Sequence, residues 1–156
     1  MESFFKNNPA LMTFQKIPLF QKLSQDSLLT LYIASKETIV QKDDCIVSEG
    51  TAGDELYIIG RGKVDVFKDY GQSNQVHLST LGHNACFGEM CIIEPIVRSA
   101  SVVAAETSIL YSITCNSLNK LYQIWPDQHT QIMKNLCTNL TERIATMDKS
   151  FLMRAC

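Results

Sequence analysis

The sequence predicts a mainly β fold with flanking helices, of the α+β class. All seven glycines fall between Gly50 and Gly88, within a segment of short runs rich in Val, Ile and Tyr. Evenly spaced short strands separated by turn signals are typical of a β-sandwich or barrel. Before and after this segment, apolar residues return to the spacing of three and four that indicates a helix. We therefore predict a helical start, a β unit over about 36–114 and C-terminal helices over about 116–148.

The N-terminal segment predicts two helices before the first strand. Pro9 to Lys16 can form a short helix that ends before Ile17 and Pro18. Ser24 is a suitable N-cap for a second helix. The apolar residues of this second helix are Leu28, Leu31 and Tyr32. We treat residues 1–16 as a helical extension and expect both helices to pack on the outside of the β unit.

The middle of the chain predicts strands with one buried face. Residues 63–66 and 75–78 alternate between polar and apolar side chains, as half-buried strands do. Clusters rich in Gly, Asp, Asn and Ser separate the strands. These turn clusters lie at 43–44, 50–53, 60–62, 70–74 and 82–84.

The C-terminal segment predicts a short helix, a break and a longer helix. Leu118, Leu121 and Tyr122 suit the short helix, and Trp125 with Pro126 marks the break. The longer helix carries an apolar stripe made of Met133, Cys137, Leu140, Ile144 and Met147. Either this stripe packs on the β unit, or it is free to cover a ligand or contact another chain. We treat residues 149–156 as a tail.

Composition excludes several classes of function. Hydrophobic residues make up 46% and charged residues 19%, which indicates a folded globule, and the net charge of -2 favours neither nucleic acid nor an anionic membrane. No apolar run is long enough for membrane insertion and the N-terminus does not resemble a signal peptide, so we expect a cytoplasmic protein. The six cysteines form no CxxC pair, which predicts reduced thiols and no metal.

The stretch 87–102, FGEMCIIEPIVRSASV, is the candidate functional site. Gly88 allows a close backbone approach, Glu89 supplies an acceptor, and residues 89–93 can start a helical turn whose free N–H groups favour an anion. Arg98 adds a permanent cation whose fork of donors matches two phosphate oxygens. The small residues Ser99 and Ala100 let a ligand lie against the backbone. This pattern predicts a pocket for a compact phosphate ester that also carries a hydroxyl.

The same stretch resembles the phosphate-binding cassette of the cyclic-nucleotide-binding domain family, which includes catabolite activators, kinase regulatory subunits and cyclic-nucleotide-gated channels. The matching residues are Phe87, Gly88, Glu89, Arg98, Ala100, Ser101 and Val102. Further matches at 17–24, 53–59, 62–66 and 81–82 extend the resemblance over about 17–145. It implies a domain over 17–148 built as an eight-stranded double-sheet jelly roll, with N-terminal helices, a short cassette helix and a C-terminal lid helix.

The resemblance also implies roles for individual residues. Arg98 would pair with the cyclic phosphate, the N–H groups of Cys91 and Ser99 would bond its oxygens, and Glu89 would accept from the ribose 2′-hydroxyl, with Gly88 giving the ribose room. Leu81 and Ser79 would face the base. The candidate ligand-binding residues are Gly88, Glu89, Met90, Cys91, Arg98, Ser99, Ala100, Leu81 and Ser79.

Plainer interpretations stay open for these residues. Arg98 could be a surface arginine or pair with Glu94 or Glu106, and Glu89 could cap a helix. Leu81 and Ser79 could be core residues, and Cys91 a small apolar residue.

The chain departs from the family pattern just before the arginine. It has Glu94, Pro95, Ile96 and Val97 where the family usually has Gly and Pro, and the negative charge of Glu94 could weaken phosphate binding. Asp43 replaces a common turn glycine, which is tolerable because Asp can adopt left-handed conformations. In relatives that accept cGMP well, a hydroxyl residue often follows the arginine, as Ser99 does here, and can meet the guanine amino group, whereas the cAMP-dependent kinase regulatory subunits carry alanine there. Related channel domains with threonine at this position can still prefer cAMP. We favour cAMP and leave cGMP open.

The leading functional hypothesis is a non-catalytic sensor that binds cAMP or cGMP and signals by moving its C-terminal helix. Its output would go to an unidentified effector protein, or to an effector domain in a larger protein that contains this chain. The alternative is a structural domain of the same fold that has lost its ligand and serves as a protein-interaction or dimerisation unit, for example as a homodimer, through the 133–147 stripe. An enzyme of the cupin type is not expected, because the histidines at 77, 83 and 129 form no His-x-His pair. No cofactor is implied besides the nucleotide ligand.

Overall fold

The computed structural model describes residues 8–93 and 96–154. Helix α1 (Pro9–Lys16) begins at the side chain of Asn8, which accepts from two backbone N–H groups of the first turn. A 3-10 turn (Pro18–Phe20) connects it to α2 (Gln25–Ala34). The Ser24 hydroxyl accepts from the Ser27 N–H, as expected of an N-cap. Both predicted N-terminal helices are confirmed.

The β unit consists mainly of two antiparallel four-stranded sheets, which confirms the predicted double-sheet fold. The strands are β1 (Lys36–Val40), β2 (Cys45–Val47), β3 (Ala52–Gly53), β4 (Glu55–Arg61), β5 (Val64–Lys68), β6 (Val76–Leu81), β7 (Cys86–Phe87), β8 (Ile96–Val97), β9 (Ser101–Ala104) and β10 (Ser108–Thr114). One sheet has the strand order β1-β10-β4-β7 and the other β2-β9-β5-β6, while β3 and β8 form a separate two-stranded ladder.

Two apolar cores stabilise this arrangement. One lies between the helices and the first sheet, where Phe14 packs edge-on against Tyr32 and Tyr111. The other lies between the two sheets and contains Val47, Ile59, Val64, Phe87, Val102 and Leu110. The helices therefore cover the outside of the β unit, as predicted, and the inside of the roll has a core of its own.

The C-terminal segment forms α3 (Cys115–Ile124) and α4 (Pro126–Arg154), with the predicted break at Trp125 and Pro126. α4 continues to Arg154, whereas the sequence predicted an end near 148. No described helix is long and apolar enough to cross a membrane.

The buried face of α4 differs from the predicted apolar stripe. Ile132 and Leu136 are fully buried, while Cys137 is exposed and Ile144 is 61% exposed. Asn135 fixes this rotation, because its side-chain amide donates to the backbone carbonyls of Leu19 and Gln21. Of the two interpretations left open for the stripe, packing against the rest of the domain therefore does not apply to Cys137 and Ile144. The Met147 side chain lies outside the described residues.

Candidate functional site

The short ladder of β3 and β8 holds the backbone of Arg98. Ala52 pairs with Val97, the residue directly before the arginine. The Arg98 N–H donates to the Thr51 carbonyl (2.8 Å), and the Arg98 carbonyl accepts from the Gly50 N–H (2.9 Å). Both main-chain groups of Arg98 are thus bound to the turn before β3, which fixes the direction in which the side chain leaves the backbone.

The Arg98 guanidinium lies between two backbone carbonyls. Its Nη2 donates to the Glu55 carbonyl (2.7 Å) and its Nη1 lies 3.5 Å from the Gly88 carbonyl. No carboxylate among the described residues, Glu106 included, forms an ion pair with it. Glu94, the other predicted partner, lies outside the described residues, as does Pro95. The carbonyls use two of five donors, which leaves N–H groups for an anion.

Two glycines make room for this guanidinium. A Cβ atom at Gly53 would lie 1.8 Å from Arg98 Nε, and one at Gly88 would lie 2.5 Å from Arg98 Nη1. Gly88 also has a φ of +77°, a left-handed conformation that side chains disfavour. A side chain at Gly88 would therefore collide first with Arg98, the arginine of the same cassette.

Tyr57 forms one wall beside Arg98. Its ring stacks on Phe87 with a centroid separation of 5.0 Å and an interplanar angle of 8°. The Arg98 Cζ lies 5.9 Å from the ring centroid, within the range of a cation–π interaction. The Tyr57 hydroxyl donates to the Glu55 carboxylate (2.7 Å), and burial followed by this hydrogen bond raises the pKa of Tyr57 to about 12. Tyr57 is thus a neutral, fixed neighbour of the guanidinium at ordinary pH.

A cleft of about 250 Å³ opens beside Arg98. It is lined by Ile46, Val47, Ser48, Thr51, Ala52, Gly53, Asp54, Glu55, Tyr57 and Arg98. A permanent cation with spare donors, next to an aromatic ring and small residues, can bind a compact anion that carries a flat or apolar group.

Glu89 begins the cassette turn, the 3-10 turn Glu89–Ile92, with Gly88 as its N-cap. Only 6% of the residue is exposed. Its carboxylate accepts from Nη1 of Arg143, which lies on α4 and has a side chain that is 53% exposed. Glu89 makes no side-chain capping bond to this turn, so the capping interpretation is not supported. The predicted hydroxyl acceptor is thus in contact with the C-terminal helix.

The third residue of the cassette turn, Cys91, is 3% exposed. Its N–H donates to the Gly88 carbonyl (3.3 Å), and its sulfur lies 2.6 Å from the Cys115 sulfur at the start of α3. Burial, and secondly the contact with Cys115, raises the pKa of the Cys91 thiol to about 12. The side chain is therefore buried and neutral, which fits the interpretation of Cys91 as a small apolar residue.

The remaining candidate residues are more dispersed. Ser99 is exposed, and its carbonyl accepts from Lys68 Nζ (3.2 Å). Ala100 is half-buried and Met90 is 44% exposed. On β6, Ser79 and Leu81 pair with inward-facing residues of β5, and Leu81 packs on the core between the sheets. Of the candidates, Arg98 lines the cleft and Gly88 contacts Arg98.

Sequence reasoning missed five residues of this site. These residues are Gly53, Glu55, Tyr57, Cys115 and Arg143. The first three belong to the 53–59 motif that supported the family resemblance, so a signal was present although no site role was drawn from it. Cys115 and Arg143 carry no such signal, because each reaches the cassette only through the folded arrangement of the helices.

Comparison with known proteins relates this chain to cyclic nucleotide-binding domains. A family model described as "Cyclic nucleotide-binding domain" matches residues 37–124. The cAMP-dependent protein kinase regulatory subunit of Eremothecium gossypii is 34% identical over 95 residues, which are 61% of this chain and 20% of that protein. The cGMP-dependent protein kinase isozyme 2, forms cD5/T2, of Drosophila melanogaster is 31% identical over 90 residues, which are 57% of this chain and 10% of that protein.

A solved structure agrees with these sequence matches. The crystal structure of a cyclic nucleotide-binding domain from Methylobacillus flagellatus superposes with a TM-score of 0.80 at 26% identity, covering 98% of this chain and 85% of that chain. The chain thus spans a fifth or less of the two kinase-related proteins, but nearly all of it corresponds to the bacterial domain.

Proposed function

The chain belongs to the cyclic nucleotide-binding domain family, and we propose that it is a non-catalytic sensor of cAMP or cGMP. The observation that carries the proposal is the placement of Arg98. Its backbone is bound on both sides, two glycines admit its guanidinium, and two carbonyls orient it beside a cleft. A cation prepared in this way is suited to a cyclic phosphate, because little side-chain entropy remains to be lost on binding.

Each part of the nucleotide has a partner in the proposal. Arg98 pairs with the singly charged phosphate, with backbone N–H groups of the cassette, at Cys91 and Ser99, completing the anion site. Glu89 accepts from the ribose 2′-hydroxyl, and Gly88 lets the ribose approach. The base lies toward Leu81 and Ser79 on β6. Because the Cys91 N–H donates to Gly88, binding requires a small adjustment of the cassette turn.

The contact between Glu89 and Arg143 supports a link between binding and the C-terminal helix. The Glu89 carboxylate is nearly fully buried while Arg143 contacts it, so a ribose hydroxyl reaches it only when Arg143 moves away. Ligand binding then releases α4 from the cassette, and α4 in turn opposes ligand binding. This movement is the signal that an effector protein, or an effector domain in the same protein, would detect.

The choice of nucleotide is the finer part of the proposal. The relatives include proteins named for each nucleotide. Ser99 is exposed next to Arg98, where its hydroxyl is available to a guanine amino group. We retain cAMP as the favoured ligand, with cGMP as the competitor that Ser99 could admit.

A second candidate is an interaction domain that works without a ligand. The exposed apolar side of α4, with Cys137 exposed and Ile144 61% exposed, favours a contact with another chain. A homodimer through 133–147 would bury this surface. The two functions differ in whether a nucleotide binds at all.

Calorimetric titration with cAMP and then cGMP tests the proposal. Truncating one side of a buried charge pair costs about 2–5 kcal/mol, so Arg98→Ala should weaken binding at least roughly thirtyfold. Saturable binding that this variant loses supports the sensor. If folded wild-type protein, purified free of nucleotide, gives no heat with either ligand, the sensor proposal fails and the interaction domain is favoured.

A further inference from the structure

Two cysteines connect the cassette turn to the helical part of the domain. The sulfurs of Cys91 and Cys115 lie 2.6 Å apart, and the Cys115 thiol also donates to the Cys91 carbonyl (3.1 Å). Both are free thiols. A disulfide bond needs a sulfur separation of about 2.05 Å, so a small movement of either side chain brings the pair to bonding distance.

This pair differs from the other described cysteines. Cys45 and Cys137 are exposed, and no other contact between cysteine sulfurs occurs in 8–93 and 96–154. Cys91 is 3% exposed, whereas Cys115 is half-buried and is therefore the sulfur that a small oxidant reaches first. An accessible thiol beside a second, sheltered thiol is the arrangement in which oxidation ends in a disulfide and does not continue to higher oxides.

We propose that Cys91 and Cys115 are a redox modification site, at which a peroxide converts the two thiols into a reversible disulfide that fixes the cassette turn on α3. The bond links the third residue of the turn to the first residue of the helix. It joins segments 24 residues apart that are held together in the reduced protein only by non-covalent contacts.

The reaction balances with hydrogen peroxide as the oxidant. The Cys115 thiol releases its proton, its thiolate attacks one peroxide oxygen, and the O–O bond breaks to give a Cys115 sulfenic acid and hydroxide, which takes up the released proton to form water. The Cys91 thiol loses its proton and attacks the Cys115 sulfur, so that the S–S bond forms and the sulfenic oxygen leaves as a second water. Two electrons pass from the thiols to the peroxide, and a dithiol such as dithiothreitol returns them.

The disulfide has a consequence for the ligand site that rests on the proposed function. It holds the cassette turn, in which the Cys91 N–H donates to the Gly88 carbonyl, on the first residue of α3. In the proposed function, nucleotide binding requires this turn to adjust so that the Cys91 N–H can reach the phosphate. Oxidation therefore lowers nucleotide affinity, by about fivefold or more if the coupling is of ordinary size.

The test is titration of the full chain with hydrogen peroxide, followed by mass spectrometry of non-reduced peptides. We expect a peptide pair linked through Cys91 and Cys115 as the first oxidation product, and its loss on adding dithiothreitol. The linked pair should be absent in Cys115→Ser and in Cys91→Ala, whereas the control Cys137→Ser should retain it. A cooperative thermal transition shows that each variant is folded. The proposal is overturned if the wild-type protein forms no linked pair, or if a pair that involves other cysteines forms first.

Two further readouts separate this proposal from the sensor function. Hydrogen exchange of residues 88–93 should slow on oxidation in wild-type protein but not in Cys115→Ser, and unchanged exchange in the linked protein overturns the clamping of the turn. This readout needs no nucleotide, so it decides the proposal even if the reduced protein binds neither cAMP nor cGMP. If the reduced protein does bind nucleotide, equal affinity in the linked form overturns the effect on the ligand site.

Discussion

Arg143 on helix α4 donates to the buried carboxylate of Glu89, which lies 54 residues earlier in the chain. The pair joins the residue proposed to bind the ribose to the helix proposed to carry the signal. A carboxylate that is only 6% exposed has little surface left for a second donor while the guanidinium is in place. In the proposed function, the ribose hydroxyl and Arg143 on α4 would therefore compete for the Glu89 carboxylate.

Replacing Arg143 should therefore tighten nucleotide binding. In Arg143→Ala the ligand no longer competes with a guanidinium for Glu89. Because the Arg143 side chain is half exposed, we expect the affinity to rise by only about threefold to tenfold. Arg143→Lys retains a cation and should stay near the wild-type value. Lys134→Ala on the same helix, at an exposed position, is the control for lost charge. Calorimetry measures all four proteins, and weaker binding in Arg143→Ala would show that Arg143 assists the ligand.

The two glycines around Arg98 should be intolerant of a side chain for a steric reason. Gly88→Ala places a Cβ against the guanidinium and also strains a left-handed backbone, at a cost of about 1–2 kcal/mol for the backbone alone. Gly71→Ala is a matched control, because its φ is +79° and nothing lies within 4 Å of the added atom. Both variants should lose stability in urea unfolding, but only Gly88→Ala should also lose nucleotide affinity. Equal affinities in the two variants would contradict the assigned role of Gly88.

The rotation of α4 predicts which apolar residues stabilise the domain. Leu136→Ala empties a fully buried position and should lower the free energy of unfolding by about 2–5 kcal/mol. Ile144→Ala removes a side chain that is 61% exposed and should change it by no more than about 0.5 kcal/mol. Urea unfolding compares the two variants. A large loss in Ile144→Ala, dependent on protein concentration, would instead indicate a dimer through this surface.

Burial of two thiols predicts a particular pH dependence of alkylation. The pKa values of Cys86 and Cys91 are raised to about 12, in both cases mainly by burial, so the folded protein favours their neutral forms. The raised pKa values of these two thiols contribute to the free energy of unfolding in full below pH 9, and this contribution is lost as the pH rises toward 12. At pH 8, iodoacetamide should modify the exposed Cys45 and Cys137 well before Cys86 and Cys91. Peptide mass spectrometry follows each site, and rapid modification of Cys91 would contradict its burial.

Features set by local chemistry could be predicted from the sequence. The Ser24 cap, the break at Trp125 and the left-handed Asp43, with a φ of 71°, all depend on neighbouring residues. The jelly-roll arrangement itself came from the family resemblance, because strand spacing alone does not distinguish sheet topologies.

Features set by contacts between distant residues could not be predicted. The ladder that positions Arg98 consists of two strands of two residues each, too short for any periodic pattern, and it pairs Ala52 with Val97. The face of α4 that is buried depends on Asn135 binding carbonyls more than 110 residues away. The partner of Glu89 is Arg143, an exposed residue of α4 with no motif around it. Each of these requires the folded chain.

The most direct test of the account is hydrogen exchange of the full chain with and without saturating nucleotide. Binding that displaces Arg143 from Glu89 predicts slower exchange in the cassette, residues 88–93, together with faster exchange in 138–146 of α4. Arg98→Ala, which should bind at least roughly thirtyfold more weakly, should show neither change at a nucleotide concentration that just saturates the wild-type protein. Slower exchange in the cassette with unchanged exchange in α4 would mean that the ligand binds without releasing the helix, and would contradict the proposed coupling.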